Sequence, residues 1–188
     1  VDGGYLIFGG MLWNAGVTLG FLGILTGNAS GLEGLQMPGK VLPLLFFGFV
    51  LVGLSLVQTN NRRTDEEMSP AQWFLFAATL WLPWVLAGSY LLIHFFNAKG
   101  VMANIVDWWF IQNFTKVYLT FVGLGTLFHF LPALSGRQLV GRGYAQFAFW
   151  IMLLFGSVGG VGPGAPVPAW LPALSTVSAV FYFFGVIA

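Results

Sequence analysis

Residues 107–130 read DWWFIQNFTKVYLTFVGLGTLFHF. As a helix this run is long and apolar enough to cross a hydrocarbon core of roughly 30 Å, for which about 20 residues suffice. Its first half nonetheless carries Gln112, Asn113 and Lys116, and its only acidic residue, Asp107, stands at the edge. Polar groups placed in lipid are costly unless another group satisfies them. At about 100° per residue, Gln112, Thr115, Lys116, Gly123 and Thr126 fall on one helix face, with Leu119 among them. This polar stripe is expected to face protein or a wet cavity, as a substrate path or as a structural seam between helices.

The rest of the chain is equally apolar. Of its 188 residues, 57% are hydrophobic, 18% aromatic and 7% charged, against about 25% charged in soluble domains. Such a chain cannot cover a folded surface with water-compatible groups, so it reads as an all-α, polytopic membrane helical bundle. Apolar length and polar flanks place six transmembrane spans near 5–26, 41–59, 71–96, 107–131, 144–160 and 171–188. Residues 97–106, including NAKGVMANI, read as a loop. Ser69-Pro70 has the form of a helix start, with Ser as N-cap and Pro in the first turn. Gly16-x-x-x-Gly20 and Gly156-x-x-x-Gly160 are small-residue pairs of the kind that let helices approach. The whole of 1–188 reads as one transmembrane domain. It begins at Val1 without Met and stops in an apolar run, as a piece of a longer chain would.

Charge sets the orientation. The 60–69 and 133–143 loops hold Arg62, Arg63, Arg137 and Arg142, whereas the other three hold Lys40 and Lys99. The positive-inside bias puts the arginine loops in the cytoplasm, with Trp108, Trp109 and Trp170 in an outer aromatic belt. The lipid bilayer is the first partner implied. A net charge of +1 without a basic tract gives no reason to expect nucleic acid.

The absence of cysteine excludes disulfides, iron–sulfur clusters, thiolate metal sites and a Cys nucleophile. Glu33, Asp65, Glu66 and Glu67 all fall in loops and read as solvated. Two histidines remain. His94 falls near the outer end of the third span and His129 near the cytoplasmic end of the fourth, too far apart to ligate one metal or one haem. Each is a candidate single haem ligand paired with a group outside this chain, or else an interfacial histidine bonded to a carbonyl or lipid headgroup.

One set of residues resembles a known family. WWFIQN at 108–113, the FHFLP that ends the fourth span, the SGRQLVGRG loop, YAQFAFWIMLLFGSVGG and PVPAW resemble the haem–copper oxidase superfamily. The nearest part is the catalytic subunit (subunit I) of cbb-type cytochrome c oxidases and of nitric oxide reductases. The hairpin from Asn60 to Asn97 is also similar to that subunit. The resemblance covers about residues 5–185 and implies the middle helices of a roughly twelve-helix subunit I fold.

By that resemblance, the three histidines that hold the family's copper or non-haem iron correspond here to Gln112, Gly160 and Val161. Glycine and valine offer no side-chain donor and an amide is a poor copper ligand, so these are degenerate metal-site positions and no copper is expected. The family's haem ligands fall outside this segment, so any haem would be held from elsewhere. In the nitric oxide reductase branch a Glu matches Lys116, which suggests that the Lys116 ammonium stands near the lost metal. Its expected partner is a carbonyl cluster, Gln112, Thr115, a haem propionate, or an acid from outside the segment; the alternative is a Lys116 that snorkels to the interface.

The resemblance implies a copper-less structural or electron-transfer component of a respiratory or other membrane redox complex. It would sit in the bacterial inner membrane with other subunits and a cytochrome c-type partner. Two alternatives stand beside it. One is an active oxidase or nitric oxide reductase with a rebuilt site, an oxidoreductase in the full sense. The other is a small transporter or channel using the Gln112–Lys116 stripe.

Overall fold

The computed structural model describes residues 3–62, 68–137 and 141–188. Arg63, Asp65, Glu66 and Glu67, on which part of the loop reading rested, lie outside them. The described residues form six helices and no strand. These are α1 Gly4–Leu25, α2 Leu42–Asn61, α3 Pro70–Phe95, α4 Val101–Ser135, α5 Arg142–Ser157 and α6 Trp170–Ile187. All but α5 are long and apolar enough to cross a membrane. Large apolar side chains such as Ile7, Met11, Trp84, Phe95 and Phe183 stand exposed on them, where only lipid or other membrane protein makes their exposure tolerable. The protein is an integral membrane protein of helices.

Two boundaries differ from the sequence reading. The fourth helix starts at Val101 rather than near 107, so most of the expected 97–106 loop is helical. Apolar length marks where a helix enters lipid, not where it begins. Nothing in Val101–Val106 breaks a helix, and Gly100, at φ 60°, supplies the turn before it. At 1.5 Å per residue α4 is about 52 Å long, so tilt or a stretch outside the hydrocarbon must take up the excess. The fifth helix ends at Ser157, short of the expected 160, because Val158 is extended and Gly159 and Gly160 both have positive φ.

The described residues group into two compact units, residues 3–62 with 79–110, and residues 68–78 with 111–137 and 141–188. In the first unit α1 and α2 meet backbone to backbone. A Cβ on Gly9 would come within 2.7 Å of the Gly48 carbonyl oxygen, and one on Gly48 within 2.8 Å of the Trp13 nitrogen. Gly16 and Gly20, the pair noted in the sequence, receive Leu45 and Met37. Trp13 and Phe49 close the same contact at 5.3 Å between ring centroids.

The second unit is centred on Phe74 and Phe121, both fully buried, with ring centroids 4.9 Å apart. Phe74 also meets Phe128 and Phe149 edge-on at 5.4 and 5.3 Å, each such pair contributing about 0.5–1.5 kcal/mol beyond its buried area. The helix carrying Phe74 begins at Pro70, as Ser69-Pro70 suggested. The Ser69 amide donates to Gln72 Oε1 at 2.8 Å and the Gln72 amide faces Ser69 Oγ at 3.4 Å, a reciprocal cap.

Asp107 governs the 27–41 connection of the first unit. It is 2% exposed, and its carboxylate accepts the Leu35 amide at 2.9 Å and the Gly34 amide at 3.1 and 3.2 Å. Hydrogen bonds to a charged group contribute about 1.5–3 kcal/mol. In Asp107→Ala both amides lose their acceptor, and hydrogen exchange at Leu35 is expected to accelerate by roughly ten- to a hundredfold. Unchanged protection at Leu35 would show that the carboxylate does not hold this connection.

Candidate functional site

The polar part of α4 departs from the regular helix that the stripe assumed. Asn113–Leu119 is a π-helical turn, and its wider i→i+5 spacing shifts the faces of everything beyond it. The buried row is consequently Asn113, Val117, Phe121 and Gly125, spaced by four. Gln112 is buried, Lys116 is half-buried, and Thr115, Leu119, Gly123 and Thr126 are exposed. The expected single inward-facing stripe is therefore divided. The Thr115 hydroxyl donates to Ile111 O at 2.7 Å and that of Thr126 to Val122 O at 2.7 Å. A threonine bonded to its own helix can face lipid without an unsatisfied group.

The widened turn is braced from α6. Tyr182 OH donates to the Lys116 carbonyl at 2.9 Å and lies 3.3 Å from Thr120 Oγ1, which itself donates to Thr115 O at 3.0 Å. Gly156 of α5 makes room for this. A Cβ there would meet both Tyr182 and Val117 at 3.1 Å. The Lys116 ammonium stands 5.6 Å from the centroid of the Tyr182 ring, within cation–π range. Its neighbour is thus an aromatic face, a partner absent from those expected. Asn113, fully buried, donates from Nδ2 to Ser157 O at 3.2 Å.

The three positions that the resemblance matched to metal ligands lie in this same unit. Gln112 and Val161 are buried, and Gly160 has φ 100° beside Gly159 at φ 130°, a pair of conformations suited to glycine. Ser178 Oγ hydrogen-bonds Val158 O, and the Val161 amide donates to Ser175 Oγ at 3.2 Å. A Cβ on Gly159 would lie 3.3 Å from Ser175 Cα and 3.4 Å from both Gln112 Nε2 and Ser178 Oγ. The turn is thus seated between Gln112 and α6.

This donor set does not fit copper. It offers one amide and two serine hydroxyls that are already hydrogen-bonded, where copper favours imidazole or sulfur. Among the described residues there is no group of three or more His, Cys, Asp or Glu that could hold a metal. His94 and His129 fall in different units and both are exposed. The His94 ring lies 4.8 Å from that of Tyr90 and His129 rests against Phe130 at 5.2 Å.

Sequence reasoning passed over Tyr182, Ser175, Ser178 and the role of Asn113. The two serines stand three residues apart in an apolar helix, and that spacing was the available signal.

No family model matches the chain. Among curated proteins, the cytochrome c oxidase subunit 1 homolog of Agrobacterium tumefaciens (strain T37) is 23% identical over 158 residues, which is 80% of this chain and 29% of that protein. The chain therefore spans under a third of that relative's length. The likeness supports a distant haem–copper-oxidase-like relationship. Together with the five apolar helices, it describes a membrane protein resembling cytochrome c oxidase subunit 1.

The paired positive φ values limit which residues this turn accepts. A side chain at 160 would adopt a conformation that costs roughly 1–3 kcal/mol for a non-glycine residue. Gly160→Ala is expected to lower the midpoint of thermal unfolding in detergent, whereas Gly162→Ala, at a residue without positive φ and with open space for a Cβ, carries no such backbone penalty. Equal effects of the two substitutions would show that the turn is not held as described.

Proposed function

We propose that this protein is a membrane subunit of a redox complex, akin to the catalytic subunit of cbb-type cytochrome c oxidases and nitric oxide reductases but without their copper or non-haem iron site. Its helices then correspond to the middle of the roughly twelve-helix fold. It serves as a structural or electron-transfer component in a bacterial inner membrane, beside other subunits and a cytochrome c-type partner. Haem, where present, is held by residues outside this segment.

The observation that carries this reading is the Val158–Val161 turn. The positions matching metal ligands, Gln112, Gly160 and Val161, are here a buried amide and a turn hydrogen-bonded to Ser175 and Ser178. An oxidase with a rebuilt site would need a cluster of strong donors that the described residues do not offer. A transport path along the stripe is disfavoured because the hydroxyls of Thr115 and Thr126 are bonded to their own helix.

Metal analysis and a reduced-minus-oxidised spectrum of the full-length protein, purified from native membranes in its complex, test the reading. Haem absorption with copper and non-haem iron far below one per chain is the expected result. Stoichiometric copper or iron lost in Gln112→Ala would overturn it. Absence of both haem and metal would remove the redox assignment.

A further inference from the structure

We infer that the first unit carries a binding site for the phosphate headgroup of an anionic glycerophospholipid, formed by Lys40, Lys99 and His94 at the membrane end shared by α1–α4. A cavity of about 660 Å³ opens there, between the 27–41 connection and the 96–100 turn. Lys40, Lys99, His94 and Tyr90 line it, with Asn28 and Ser30 as further polar groups, and no carboxylate of the described residues lines it. Two ammonium groups and an imidazole around a cavity with no acid among its described lining residues form a local excess of positive charge. The complementary ligand is an anion that accepts several hydrogen bonds.

The walls are built rather than loose. Asp107 fixes the connection through the Gly34 and Leu35 amides, Ser30 Oγ hydrogen-bonds Leu35 O, and the Ser30 amide donates to Gln36 O at 3.1 Å. The Asp107 oxygens are thereby engaged with the backbone. Opposite, Leu91–Phe95 is a π-helical turn, in which the Phe96 amide reaches back five residues to Leu91 O at 2.9 Å. Asn97 follows at φ 56°, a conformation that non-glycine residues adopt sparingly. The chain thus accepts local cost where His94 enters the cavity, and both features gather at functional places. Gly39 makes the approach of His94 feasible, since a Cβ there would lie 2.4 Å from His94 Nε2.

The surroundings favour a lipid as the source of the anion. Leu91, Leu92, Phe95 and Phe96, from the same turn as His94, are exposed in a protein that lives in a bilayer. They offer acyl chains a surface next to the cationic cavity. Basic clusters at helix ends attract anionic headgroups in this way.

The test uses full-length protein in phosphatidylcholine nanodiscs containing dioleoyl-phosphatidylglycerol, with retained lipid counted by native mass spectrometry after detergent extraction. Lys40→Ala/Lys99→Ala is expected to reduce retained phosphatidylglycerol roughly tenfold or more, while Lys40→Arg/Lys99→Arg keeps it. Arg62→Ala, beyond the opposite end of α2, should leave it unchanged. Thermal unfolding of each variant in phosphatidylcholine alone reports folding independently. Equal retention by wild type and a folded double-alanine variant would overturn the inference. So would displacement of the lipid by millimolar inorganic phosphate, which would identify a site for soluble anion.

Discussion

Within hydrocarbon, a backbone or side-chain polar group must find its partner in the protein, because no water is there to supply one. That constraint makes helices the only element among the described residues, and it decides the finer features too. Threonines 18, 59, 115 and 126 turn their hydroxyls back onto carbonyls four residues earlier. Tyr182 spans from α6 to a carbonyl of the widened α4 turn, and Ser178 and Ser175 hold the chain where α5 gives out. Among the buried side-chain polar atoms of the described residues, Ser89 Oγ is the exception, without a hydrogen-bond partner.

The helix α4 shows how these demands are combined in one element. Its first turns stand beyond the apolar run and bring Asp107 to the Gly34 and Leu35 amides of the first unit. Farther along, its π turn offsets the register, so that Asn113, Val117, Phe121 and Gly125 form the buried face of the second unit. Phe121 then meets Phe74 and Phe149, and Gly125 is close enough to Ala71 and Leu75 that a Cβ would collide with Leu75 at 2.6 Å. Lys116 is tolerable within this stretch because Tyr182 presents its ring to the ammonium and its hydroxyl to the Lys116 carbonyl.

Composition and apolar run length were sufficient to read the class and the six helices, since lipid leaves the chain few options. The Ser69 cap was legible because its chemistry is local. What escaped was set by tertiary contact or by backbone irregularity. A 100° wheel cannot foresee a π turn, so it placed Thr115, Gly123 and Thr126 with Gln112 on one face. Apolar length located the bilayer part of α4 but not the helical turns before Asp107. A correspondence of Gln112, Gly160 and Val161 with metal ligands could be suggested only by a family resemblance. The glycine turn found there, with its own hydrogen-bond partners on α6, was set by tertiary contact. Tyr182 as the partner of Lys116 was out of reach because the two are 66 residues apart.

The places where the resemblance would put metal ligands are occupied by a buried amide and a turn with internal hydrogen bonds. An experimental density map of the full-length protein, covering residues 108–120, 156–162 and 171–182, tests it most directly. The expected map has Ser178 Oγ on the Val158 carbonyl, the Val161 amide on Ser175 Oγ and Tyr182 OH on the Lys116 carbonyl, with continuous protein contact around Gln112. Density for an ion coordinated by the Gln112 side chain, with the Val158–Val161 turn displaced from α6, would contradict it.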